Sequence, residues 1–187
     1  MGESGDGAHL IANAAAAGDR DYEAAVRLFV AEEQNHARML ALLLDAGGAQ
    51  TKRWHWSDSV FVRLRRLLGL RLELMILTIA EVVALRYYRA LADGGGDRLL
   101  VDVSERILAD EVHHVPFQTR RLRLGFRDTS APARFAIRQI WRAMAAAVIV
   151  VVALDHGRAV CVCGVSRREF VITTMRIFDD TAAEVFS

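Results

Sequence analysis

Two glutamates, Glu33 and Glu111, are each followed three residues later by a histidine and preceded 30 residues earlier by another glutamate, Glu3 and Glu81 respectively. Positions three apart on an α-helix lie one above the other on a single face, so Glu33–His36 and Glu111–His114 each aim a carboxylate and an imidazole at one spot. One E-x-x-H arises often by chance in a charged helix. The recurrence of the same pattern in both halves is what constrains the chain. Glu81 sharpens the constraint, because 76–85 is apolar apart from Thr78 and Glu81 itself. An unpaired carboxylate buried there would cost several kcal/mol, and a bound cation removes that cost.

The surrounding pattern is helical. Tyr22, Val26, Phe29, Val30, Glu33, His36, Leu40 and Leu43 fall on one stripe and predict a helix over about 21–45, stopped by Gly47 and Gly48. A second helix is predicted over about 68–93, with Leu74, Leu77, Glu81, Leu85 and Tyr88 on its stripe and Gly94, Gly95 and Gly96 closing it. A third, over about 97–124, carries Ile107, Leu108, Glu111 and His114 on one face. Pro116 cannot donate to the carbonyl of Val112 and predicts a kink beside Glu111. Ahead of these lies an Ala-rich stretch, 1–17, read as a truncated helix ended by Gly18.

Between Gly48 and Gly69 runs a connector with Trp54, Trp56 and a basic amphipathic stretch, 57–68, which Ser57 or Asp58 can cap. Its length lets the next bundle helix run parallel to the previous one, as a long crossover requires. After Gly125 two more helices are predicted, over 131–154 and 165–186, the first wholly apolar from Ala143 onward. The fold class expected is all-α, a four-helix bundle with a long crossover connection and a C-terminal helical pair. The domain reading is 1–126 for the bundle and 127–187 for an appendage that packs or makes an oligomer contact. An apolar content of 53% with only 2 prolines agrees with long helices.

Charge and cysteine usage exclude other classes. The formal charge is +1 and basic residues are interleaved with acidic ones, so no cationic face tracks a phosphate backbone and nucleic acid is not an expected partner. Cys161 and Cys163 are the only cysteines. They make neither a disulfide framework nor the four thiolates of a rubredoxin-type iron site, which points to a reducing compartment. No basic-then-apolar signal segment opens the chain, and its longest apolar run, 143–154, has 12 residues where a membrane span needs about 20. A cytoplasmic protein without a membrane partner is the expectation.

Four glutamates and two histidines, one Glu from each of two helices and an E-x-x-H from each of the other two, form the ligand set of carboxylate-bridged di-iron and di-manganese bundles. Carboxylates suit hard divalent ions, and the imidazoles favour iron or manganese over calcium or magnesium. With these motifs in place, the sequence over about 1–124 resembles the ferritin-like superfamily, nearest the rubrerythrin and bacterioferritin type. Gly2-Glu3-Ser4 is similar to the first-helix motif of rubrerythrins, and Glu32-Glu33-Gln34-Asn35-His36-Ala37 to their second-helix motif. The resemblance implies that Glu3, Glu33, His36, Glu81, Glu111 and His114 ligate two iron ions, with manganese or a mixed Mn/Fe pair as the alternative.

It further implies that the acids preceding each motif support the histidine of the other motif, Glu32 for His114 and Asp110 for His36. No catalytic group beyond the ligands is implied. Tyr22 and Tyr88 lie on the ligand stripes and read as core packing, with redox relay as the alternative; His113, about 100° around the helix from His114, reads as a surface residue. The activity implied is reduction of dioxygen or hydrogen peroxide, ferroxidase- or peroxidase-like, with electrons from ferrous iron or an external donor protein. Two other readings stand beside it: a di-iron oxygenase acting on an organic substrate, and a non-catalytic helical adaptor with a structural metal site. Homo-oligomerisation through 131–187 is expected, because a helix apolar on every side must be surrounded.

Overall fold

The computed structural model describes residues 6–49 and 69–187. Glu3, Trp54, Trp56 and the amphipathic stretch 57–68 lie outside the described residues. Within them the protein is an all-α helical bundle: α1 (Asp6–Ala16), α2 (Arg20–Ala46), α3 (Gly69–Gly94), α4 (Arg98–Gly125), α5 (Ala131–Asp155), α6 (Gly157–Val162) and α7 (Arg167–Val185), with no strand among the described residues.

The helix starts follow capping chemistry. Asp19 accepts from the Tyr22 amide at 3.0 Å, Asp97 from Leu100 at 2.9 Å and Ser166 from Glu169 at 3.1 Å, each satisfying an amide that has no intrahelical partner. Gly18 joins α1 to α2 at φ +73°, a left-handed conformation that only glycine adopts without steric cost. Helix α4 continues through Pro116 to Gly125 as one element. The short α6, opening at Gly157 directly after α5, was not anticipated: 157–162 is a single turn and a half, too short for a periodic stripe.

The chain divides into two compact units, Met1–Ile76 and Leu77–Ser187. In the first, α1 packs on α2 with Leu10, Ala14, Val26 and Phe29 buried. In the second, α5 and α7 pack on one another and α7 packs along α4. Sequence composition suggested a change of organisation at 126/127, and the compact units divide at 76/77. Aromatic packing is the physical reason that the C-terminal helices belong with α4. Phe126, just past the end of α4, stacks on Phe186 at 4.9 Å, and Trp141 of α5 meets Phe178 edge-on at 4.8 Å and Phe186 at 6.1 Å. These rings form one cluster that neither α4 nor the C-terminal pair could bury alone. At the other end of the unit Gly94 lies so close to the Cys163 carbonyl that a Cβ would collide with backbone.

Helix α5 is long and apolar enough to cross a membrane by length and composition, and only 22% of its most apolar window is buried. Its apolar character exceeds what the 12-residue uninterrupted run conveys, because the arginines that break the pattern sit in its first half.

Beside α6, Tyr87 stacks edge-on against Tyr88 at 5.7 Å and His156 at 5.8 Å. Burial pushes its phenol above the ordinary value of 10.0, and the Cys163 thiol adds to the shift. A raised phenol keeps its proton longer in the folded than in the unfolded chain, so its contribution is intact below pH 10 and lost as pH rises through the folded value. Stability of the wild type should therefore fall more steeply above about pH 10 than that of Tyr87→Phe, as read by urea denaturation across that range. Trp141 is fully buried; Trp141→Ala should cost about 3–5 kcal/mol in the same assay.

Candidate metal centre

Three of the sequence-predicted ligands meet inside the second unit. Glu81 comes from the middle of α3, Glu111 and His114 from one face of α4, and all three are buried. Helical spacing places them: Glu111 and His114 are one turn apart, and Glu81 stands on the stripe that faces them. His114 Nδ1 lies 3.3 Å from Glu81 Oε2 and 3.3 Å from Glu111 Oε2. Each residue offers one potential ligand atom, and these atoms lie within 4.8 Å of one another.

The walls around this cluster are apolar, with Leu77, Ile79, Val82, Ile107, Leu108 and Val115 buried on the same two helices. Two carboxylates this close repel if both are ionised, and burial disfavours each charge separately. One imidazolium can offset one carboxylate; a divalent cation offsets both, and oxygen with imidazole nitrogen is a donor set suited to iron or manganese. The residues present therefore fit a metal.

Sequence reasoning passed over the residue that holds Glu81 in place. Gln118, one turn beyond His114 and fully buried, donates from Nε2 to Glu81 Oε1 at 3.3 Å and accepts at Oε1 from the Thr78 hydroxyl at 2.9 Å. Its signal was available, since 118 continues the 111–114 stripe inside an apolar face. Asp110, expected to support a histidine, also ion-pairs along its own helix with Arg106 at 3.2 Å. His113 is exposed, and Tyr88 packs against Tyr87.

In the first unit, within the other E-x-x-H, His36 Nδ1 lies 3.2 Å from Glu33 Oε1, with His36 buried and the Glu33 side chain 40% exposed. Glu32 beside it is half-buried, and Tyr22 is buried at the start of α2. A further polar cluster was not anticipated. Glu73, fully buried, accepts from the Asn13 side chain at 2.7 Å and lies 3.3 Å from His9 Nδ1, both on α1. Glu73 sits among Leu72, Leu74, Met75 and Ile76. That is the same sign that marked Glu81.

Gln118→Leu removes both the donor to Glu81 and the acceptor for Thr78. In the metal-free protein it should cost about 1–3 kcal/mol by chemical denaturation, the range for stranding buried polar groups.

No protein-family model, no curated protein and no solved structure matches this chain.

Proposed function

We propose that this chain is a dimetal carboxylate protein, with iron as its metal, that reduces dioxygen or hydrogen peroxide. The observation that carries the reading is the buried convergence of Glu81, Glu111 and His114 within 4.8 Å, in a setting whose electrostatics call for a cation. The internal sequence repeat assigns Glu33, His36 and Glu3 as the matching ligands of the first half. When bound, a ferrous pair supplies two electrons to the oxidant.

The chain's own residues do the rest. His114 turns Nδ1 toward both carboxylates, so this is the nitrogen it offers to a metal. Gln118 fixes the second oxygen of Glu81, restricting the carboxylate to one orientation before any ion arrives. The apolar residues around them exclude water, which strengthens each interaction with a charge. With Cys161 and Cys163 as the only cysteines, electrons for a catalytic cycle come from ferrous iron itself or from a separate donor protein.

The test is elemental analysis of protein expressed with iron and manganese supplements, followed by oxygen and peroxide consumption. About two iron ions per chain are expected, as in dimetal bundles. Glu81→Gln should lose metal and lose consumption, while its metal-free form is at least as stable as the wild type, because one of two facing carboxylates has been neutralised. Protein that carries no metal under either supplement, or Glu81→Gln with normal metal content, would overturn the assignment.

A further inference from the structure

Helix α5 carries two lengthwise stripes. Trp141, Ala145, Ile149 and Ala153 are buried in the second unit, where α5 packs on α7. The other stripe, Ala136, Ile140, Ala143, Ala147, Val150 and Leu154, is exposed at every position, with Ile140 at 70% and Leu154 at 68%. Its spacing is four, three, four, three, four. That is the a/d spacing of a helix that pairs with another helix along a straight seam.

We propose that this stripe is the interface of a homodimer in which two α5 helices pair antiparallel across a two-fold axis level with Ala145. The spacing reads the same from either end, so the stripe is complementary to itself in this register. Ala143 meets the partner's Ala147, Ile140 meets the partner's Val150, and Ala136 meets the partner's Leu154. The two alanine layers at the centre let the helix axes approach to about 8 Å, and the larger residues fill the flanking layers.

Charge agrees with this occupant. No ionisable residue lies on the stripe, so the two-fold brings no like charges together. Two arginines of α5 are engaged elsewhere: Arg142 pairs with Asp179 of α7 at 2.7 Å, and Arg134 donates to the Thr129 carbonyl at 2.9 Å. Area agrees as well. The stripe is about 28 Å long on a cylinder about 10 Å wide, so pairing hides on the order of 450 Å² per chain. A groove of 340 Å³ between α5 and α7, walled by Val150, Leu154, Val171 and Ile172 with Arg167 and Arg168 also lining it, opens beside the same end of the stripe. Covering it brings the buried area toward the roughly 800 Å² per partner of a specific complex. A bilayer surface would need apolar area alone, whereas heptad spacing with small central residues is what a second helix needs.

Sedimentation velocity of the full chain at micromolar concentration tests this. The wild type should be a dimer. Ala147→Glu and Ala143→Arg should each be monomeric, since each sets a charge in the seam, and the double variant should recover the dimer. Recovery is specific to the antiparallel register, where each Arg faces the partner's Glu; a parallel pair would set Arg on Arg. Circular dichroism checks that the helices persist, and Ile140→Ser with Val150→Ser replaces any charge variant that loses them. A monomeric wild type, an Ala147→Glu dimer or a monomeric double variant would overturn the proposal. So would a monomer that co-floats with phosphatidylglycerol vesicles, which would assign the stripe to a lipid surface.

Discussion

Burial of carboxylates in a helix-rich, water-poor interior is the constraint on which this molecule turns. Glu81 and Glu111 stand among leucine, isoleucine and valine side chains, where each isolated charge is unfavourable and two together more so. The chain tolerates them through a set of polar neighbours drawn from the same two helices: His114 against both, Gln118 against Glu81, and Thr78 against Gln118. A cluster assembled at that energetic cost is poor design for stability alone, since well-packed apolar residues would serve better. That asymmetry makes a bound cation the most economical reason for the arrangement.

The second unit shows how the remainder of the fold serves the site. Helix α4 contributes Glu111, His114 and Gln118 from one face, so its orientation about its own axis must be fixed closely. The aromatic cluster of Phe126, Trp141, Phe178 and Phe186 joins its C-terminal end to α5 and α7. The C-terminal helices thus share a core with the helix that carries Glu111 and His114.

Much of this was legible in sequence because helical periodicity is a local signal. The spans of α2, α3, α4, α5 and α7 were read to within a residue or two, since their apolar stripes run for many turns and glycines or capping residues bound them. The triad of Glu81, Glu111 and His114 was legible because a glutamate inside an apolar run has few innocent explanations. Gln118 and Glu73 carried similar signals and were passed over, one because an amide bears no charge and the other because its partners, His9 and Asn13, lie 64 and 60 residues away. The packing of the C-terminal helices against α4 was less legible for a related reason. A change in composition at 126 is visible along the sequence, whereas the stacking of Phe126 on Phe186 depends on residues 60 apart.

The chain of bonds from Thr78 through Gln118 to Glu81 has a direction. The Thr78 hydroxyl donates to the Gln118 amide oxygen at 2.9 Å. The same amide donates from Nε2 to Glu81 Oε1 at 3.3 Å. A hydroxyl and a carboxylate one turn apart on α3 are thus joined through a single amide on α4, so sliding one helix along the other breaks both bonds at once.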